Sequence, residues 1–451
     1  MEAISIIGGF KMREINQKRT KVRWKIAIFM WAAIAINYLD RTVLSATTPT
    51  IMKEFGLNAA QMGIVMSAFF WTYALFQIPA GWLADKVGQR FSLALSVAWW
   101  SIATALTAVS QGMKSLLIFR TLLGMGEAGA YPSNAGVTAK WFPDRERTRV
   151  SAIFDSGSKV GTALAMPFVV WLMTAFGWQV PFIVSGLLGL VWVAIWWAYY
   201  RDPEKHMYVN KEELTYIRDG QVKKDGLENT QPMKWYQLLK YRNILAMCVG
   251  FFMLNYAIYF FITWFPTYLV QERGFQLMKM GWVSMIPPLF GLVAELLAGW
   301  FSDHLYSRGY SLTFVRKLNL GGGMLLATSI AFAGLVNSAV LSIALLSISY
   351  AGLTTAACAI WSLPGDVAPV NMTSVVGGLQ NCVSNMGGIL GPIVTGFIIS
   401  TTHSFTPALI VSGTATLIGA LTYLFWLGKV EPIVPKTSRN LGKIDNHSIN
   451  I

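Results

Sequence analysis

Charge is what this sequence has least of. Lys, Arg, Asp and Glu supply only 13% of the 451 residues while 54% are hydrophobic, against about 25% charged in a soluble domain. That ratio excludes an ordinary water-facing globule and points to a chain whose outer surface meets lipid. Cysteine is nearly absent as well. Cys248, Cys358 and Cys382 all fall in apolar runs, where a free thiol behaves as a small hydrophobe, so neither a disulfide framework nor a thiolate metal site is expected. The four histidines, His206, His304, His403 and His447, are scattered, and no H-E-x-x-H or Walker A sequence occurs. These absences argue against a metal, a cofactor, an ATP-driven step or an enzyme. A cleavable leader is not expected either. The basic arm runs into an apolar stretch longer than a signal h-region, with no small-residue cleavage site behind it.

What is present is a series of long apolar runs. A span needs roughly 20 mostly apolar residues, and about twelve such runs can be marked, at 25–46, 61–83, 91–110, 114–138, 148–175, 179–200, 243–270, 281–302, 316–336, 339–362, 373–400 and 405–428. The formal charge of +14 could suggest nucleic acid, but its placement does not. Of the 36 Lys and Arg, 29 fall in alternate breaks and the two ends, and four (Lys53, Lys114, Arg273, Lys279) in the remaining breaks. Basic residues mark the cytoplasmic face, which puts both termini inside.

The last three cations, Arg41, Arg120 and Lys159, lie within spans. A charge at bilayer depth costs at least a few kcal/mol, so each is a functional-site candidate with a partner to be found. Asp40 adjoins Arg41. Glu127 follows Arg120 by seven residues, nearly two helical turns, which projects both from one face about 10 Å apart along the axis. Asp155 precedes Lys159 by four, which suits either a self-neutralising pair or a lysine offered to a second anionic group. Glu295 is a further acid inside a span, able to pair with a cytoplasmic-side base or to act as a proton site.

Gly81-Trp-Leu-Ala-Asp85-Lys86-Val-Gly88-Gln89-Arg90 closes the second run, and Gly299-Trp-Phe-Ser-Asp303-His-Leu-Tyr-Ser-Arg308 recurs at the matching place 218 residues later. Two copies of one motif half a chain apart indicate an internal duplication. Asp85 and Asp303 at these breaks read as gate elements, with Arg90 or the positive end of a helix as the partner of the acid.

The glycine-acid-basic loop between the second and third runs resembles the hallmark of the major facilitator superfamily. Tyr38-Leu39-Asp40-Arg41, Trp71-Thr-Tyr73-Ala-Leu-Phe-Gln77-Ile-Pro79, Arg120 with Gly126-Glu127-Ala128, Trp141-Phe-Pro143 and Thr263-Trp264-Phe-Pro266 are similar to its anion:cation symporter branch, in particular to bacterial proton-coupled transporters of galactonate, glucarate and hexuronate type. The resemblance covers essentially the whole chain. It implies an all-α membrane fold of twelve helices in two six-helix bundles, with a cytoplasmic arm (1–24), a first bundle (25–200), a cytoplasmic linker (201–242), a second bundle (243–428) and a tail (429–451). It implies a monomer in the inner membrane whose partners are the lipid bilayer and a small organic anion, with protons as the coupling ion and substrate bound at the midplane.

On that resemblance Asp40 and Glu127 are the proton-titrating acids, and Arg41 and Arg120 face substrate and those acids. An arginine fork matches a carboxylate and stays charged at any working pH. Buried polar groups left unpaired penalise the wrong ligand, so Tyr38, Tyr73 and Ser158 from the first half, and Trp361, Asn381 and Asn255 from the second, are candidates to read sugar hydroxyls. Tyr73 and Trp361 fit core packing equally well. Asn385 suits helix-helix contact as well as a ligand, and Gln380 points elsewhere than Asn381. An exchanger or exporter of another organic anion is the competing use of such a chain. A membrane sensor would need an output domain that the soluble segments are too short to form.

Overall fold

The computed structural model describes residues 19–219, 235–369 and 372–433, which are helical throughout, with no strand among them. The first half contains α1 (Val22–Phe55), α2 (Ala59–Val87), α3 (Gln89–Thr107), α4 (Met113–Glu127), α5 (Ala130–Trp141), α6 (Asp144–Phe176) and α7 (Gln179–Tyr199). A short helix, α8 (Lys211–Asp219), lies between the halves. The second half contains α9 (Arg242–Thr263), α10 (Phe265–Gln271), α11 (Leu277–Val283), α12 (Ile286–Ser307), α13 (Leu312–Lys317), α14 (Gly323–Ala327), α15 (Ile330–Ala333), α16 (Ala339–Ile360), α17 (Leu363–Val367), α18 (Thr373–Thr402) and α19 (Thr406–Leu421). Among the described residues, nine helical stretches are long and apolar enough to cross a membrane.

Several of the marked runs are not single helices, and the sequence explains where they break. The run 114–138 splits into α4 and α5 around Ala128 and Gly129. The chain from α9 into α10 turns at Trp264, with Pro266 in the first turn of α10, where its missing N–H costs nothing. Pro287 does the same at the start of α12. The run 316–336 is divided among α13, a π-turn at Leu318–Gly322, α14 and α15. Its glycines permit a close helix crossing: a Cβ on Gly323 would lie 2.6 Å from the carbonyl oxygen of Gly352 on α16. Conversely, the run 25–46 is only part of α1, which continues to Phe55 through Pro49 and stops at Gly56, whose φ of 62° is left-handed. Asn58 and Gln61 then form a capping box that starts α2.

Helices of the first half pack mainly on one another, α1 on α6, α3 on α7 and α2 on α4, and those of the second do likewise, α9 on α18 and α12 on α16. The halves meet chiefly through α2 with α18 and α6 with α11. These junctions lie at the end away from α8. Gly63 abuts the carbonyl of Pro392, Gly396 abuts that of Ala59, and Gly281 packs on Val170. The hydroxyl of Ser45 donates to the carbonyl of Thr263 at 3.0 Å. Toward the α8 end, about half of α2 from Trp71 to Val87 is exposed and little of it is buried.

The linker helix is fastened to the first half by one buried acid. Glu213, with no exposed surface, accepts from the Thr20 hydroxyl at 2.6 Å, from the backbone N–H groups of Val22 and Arg23, and from the Arg23 guanidinium at 2.8 Å. It thereby satisfies N–H groups that the start of α1 would otherwise leave orphaned. Arg23 also pairs with Glu146 at 3.0 Å, and Glu146 accepts from the Tyr216 hydroxyl at 2.6 Å.

Candidate functional site

Two groups of charges occupy the middle of the molecule. The first is fully internal. Asp40 and Glu127 are each 1% exposed, Arg120 6% and Arg41 8%, values at which every charge needs a defined partner. Arg41 donates from Nε to Oε2 of Glu127 at 2.7 Å, joining α1 to α4. Asp40 accepts instead from the Ser185 hydroxyl on α7. The neighbouring residues diverge because successive side chains on a helix are about 100° apart.

Aromatic faces complete the setting of Arg41. Its guanidinium carbon lies 4.7 Å from the ring centre of Phe69, 4.8 Å from that of Tyr38 and 5.0 Å from that of Tyr73. Each such contact is worth about 0.5–2 kcal/mol when desolvated. One Arg41 terminal nitrogen, Nη2, has no hydrogen-bond partner among the described residues. Arg120 stands behind it, 5.2 Å from the Phe69 centroid, and forms no ion pair among the described residues. It lines a small void with Arg41, Ser45 and Phe69.

The second group lines a central cavity of about 210 Å³ formed by residues of both halves. Lys159 on α6 pairs with Asp155 at 2.6 Å and with Glu295 of α12 at 3.3 Å. Tyr131 donates to the other oxygen of Asp155 at 3.0 Å. Glu295 therefore pairs with Lys159 of the first half, in place of the cytoplasmic-side base that was one of the two readings open to it. The Lys159–Glu295 pair ties the first half to the second.

The candidate residues sort clearly around this cavity. Tyr38, Arg41, Tyr73, Ser158, Lys159, Asn255, Trp361, Asn381 and Asn385 all line it, whereas Asp40, Arg120 and Glu127 do not. Arg41 is thus the member of the four-charge cluster that touches both the buried network and the open space. Asn381 meets Gln77 across the halves at 3.4 Å. Trp361 is 62% exposed and sits edge-on to Phe251, so it is a wall of the cavity mouth rather than core. Gln380 turns away and donates to the Ile360 carbonyl at 3.4 Å.

The gate candidates behave differently from expectation. Arg90 does not pair with Asp85; its guanidinium donates to the Trp197 carbonyl and lies 4.3 Å from the Trp197 ring centre. Asp85 and Asp303 are exposed and make no ion pair among the described residues. Among the described residues, an ion pair does form at this end of the second half between Arg316 and Asp366, at 2.8 Å.

Sequence reasoning passed over Tyr131, Tyr259, Tyr350 and Thr354, all of which line the cavity. Tyr131 carried a usable signal, since it follows Glu127 by four residues. Ser185 carried none, because its role arises only from the packing of α7 beside α1.

A sealed charge network in the first half, reached through Arg41 from a cavity that both halves line, is an arrangement suited to a membrane transporter. The chain belongs to the Major Facilitator Superfamily, whose model matches residues 30–392, and is a multi-pass membrane protein of that type. More particularly, it is 35% identical over 418 residues to a D-galactonate transporter of Escherichia coli O6:H1, covering 91% of this chain and 97% of that one. It is 36% identical to a probable galactarate/D-glucarate transporter of Bacillus subtilis, covering 93% and 95%, and 31% identical to a hexuronate transporter of the same organism, covering 92% and 97%. Among solved structures, a bacterial homolog of the human lysosomal transporter Spinster, in its inward-facing and unoccupied conformation, superposes with a TM-score of 0.76 at 19% identity, covering 91% and 98%. That likeness is one of fold.

Proposed function

We propose that this chain imports a sugar acid anion, an aldonate, aldarate or hexuronate, together with protons by alternating access. The chain would cross the inner membrane twelve times, with both ends and the linker in the cytoplasm, and work as a monomer with no cofactor. The observation that carries the reading is the position of Arg41. It reaches Glu127 on its buried side and the cavity on the other, so an entering carboxylate and a buried acid compete for one guanidinium. A carboxylate whose arginine has been taken by substrate is easier to protonate, which links anion binding to proton uptake. Asp40 and Glu127 hold the coupling protons, Arg120 supports Glu127 from behind, and Tyr38, Tyr73, Ser158, Asn255, Trp361 and Asn381 read the hydroxyls.

Energetics favour such coupling. Moving one negative charge inward against about 100 mV costs about 2.3 kcal/mol, and a proton carried with it removes that cost. Closure at the end away from the linker, with α2 open at the other, supports assigning this conformation to the inward-facing part of the cycle. The cavity being built from both halves of one chain supports a working monomer. The test is uptake by purified protein in liposomes of galactonate, glucarate and glucuronate under an imposed inward proton gradient. Accumulation that collapses with the gradient is expected; uptake that persists without it would make the chain an exchanger.

A further inference from the structure

The cluster around Lys159 is not needed to hold a single carboxylate, since Arg41 already faces the cavity. Its charge count is unbalanced: one lysine serves two acids, Asp155 at 2.6 Å and Glu295 at 3.3 Å. The surrounding groups that titrate are the phenols of Tyr38, Tyr73, Tyr131, Tyr259 and Tyr350 and the thiol of Cys358. All of these are ordinarily neutral near pH 7. The remaining cation, Arg41, is taken by Glu127. The Lys159 group therefore carries a net charge of −1 when both acids are ionised.

A second carboxylate on the substrate would make three anions around one cation, an arrangement that like charges in a desolvated site do not tolerate. Asp155 has a second anchor in the Tyr131 hydroxyl at 3.0 Å. Glu295 pairs only with Lys159 among the described residues and approaches from the other half. Resting on the sugar-acid symport reading, we infer that Lys159 and Glu295 form a dedicated site for the far carboxylate of a sugar diacid, and that Glu295 takes up one extra proton as that carboxylate displaces it from Lys159.

Two consequences follow from this exchange. The proton enters from the solution on the side from which substrate binds, by way of the cavity, leaves Glu295 neutral, and offsets the added charge of a dianion, which the membrane potential opposes twice as strongly as a monoanion. The same step removes the ion pair joining the halves, so diacid binding also frees them to move.

The experiment counts protons per substrate for the full-length protein in proteoliposomes, by finding the pH gradient that just balances a fixed substrate gradient. Galactonate serves as the one-carboxylate probe and glucarate as the two-carboxylate probe. The wild-type protein is expected to carry one more proton with glucarate than with galactonate, and Glu295→Gln to lose that difference. Lys159→Gln should lower the glucarate-to-galactonate uptake ratio at least tenfold, with Lys159→Arg recovering much of it. Equal proton numbers for the two acids in the wild-type protein overturn the inference, and need no variant to fold. So does a ratio that moves less than threefold in a Lys159→Gln protein that still takes up galactonate. A wild-type protein that moves neither acid overturns the sugar-acid reading itself, and the inference with it.

Discussion

Asp40 and Arg41 are consecutive in the chain yet bond to different helices, Asp40 to Ser185 of α7 and Arg41 to Glu127 of α4. The acid-base pair that stands out in the apolar run of α1 is thus no internal salt bridge. The carboxylate is sealed in the first half, and the guanidinium spans the distance between the sealed network and the cavity. Arg41 therefore faces Glu127 on one side and the cavity on the other, with Asp40 one step removed.

Neutralising either acid separates coupling from binding. Asp40→Asn and Glu127→Gln should each abolish proton-driven accumulation in liposomes while leaving counterflow exchange of bound sugar acid measurable. Glu127→Gln releases Arg41 from its partner, so substrate affinity should become less dependent on pH. A Glu127→Gln protein with wild-type accumulation across the pH range would remove Glu127 from the coupling step.

The charge at position 41 is not sufficient without its shape. Arg41→Lys keeps the cation but loses the planar fork and the stacking on Phe69, Tyr38 and Tyr73. Two or more lost contacts at about 0.5–2 kcal/mol each imply at least about a fivefold fall in kcat/KM for uptake. Initial rates across a substrate series would measure it, and a near-wild-type lysine variant would show that only net charge matters.

Closure at the end away from the linker depends on the absence of a side chain at position 63. A Cβ there would run into the backbone carbonyl of Pro392, which cannot rotate aside. Overpacking of this kind costs about 1–3 kcal/mol. Gly63→Ala should therefore shift the population toward the opposite conformation and slow the full cycle. Labelling of single cysteines placed along α2 and α18 at that end should rise in the variant; unchanged labelling would mean that the crossing relaxes without opening.

His206 offers a pH test outside the membrane. Burial, and then the nearby Arg201 cation, hold its imidazole below the ordinary 6.5 despite the opposing charge of Glu213. Its ring is packed against Trp141 and Tyr199. The unfolded chain therefore binds this proton first, so the contribution of His206 to stability is complete above pH 6.5 and declines as pH falls below it. The melting-temperature difference between the wild-type protein and His206→Gln should change across that window and stay flat above it. Parallel curves at every pH would assign the titration to other groups.

Much of this molecule was legible from its sequence because lipid imposes a coarse rule. Apolar length marks spans, and a charge inside one demands a partner, which is how Arg41, Glu127 and Lys159 were found. Helical spacing placed Asp155 beside Lys159 correctly, since i and i+4 lie on one face. It could not place Glu295, 136 residues further on, because no local rule says which helix of the other half will face α6. The same limit hid Ser185. Arg120 and Glu127 share a face as expected, but whether that face meets the cavity or an aromatic wall was decided by Phe69, whose ring lies near both Arg41 and Arg120. Helix breaks were underestimated because a polar gap marks the end of a run, while the interruptions at Trp264 and Gly321 fall inside apolar sequence.

The buried Glu213 that clasps the start of α1 settles which body the linker helix travels with. Four hydrogen bonds to Thr20, Val22 and Arg23 make α8 cargo of the first half, at rest relative to α1 whatever the second half does. A probe on α8 is in effect a probe on the first half. Paired with one on α1 it should read a constant distance through the cycle, and paired with one on α12 it should record the whole excursion of one half past the other.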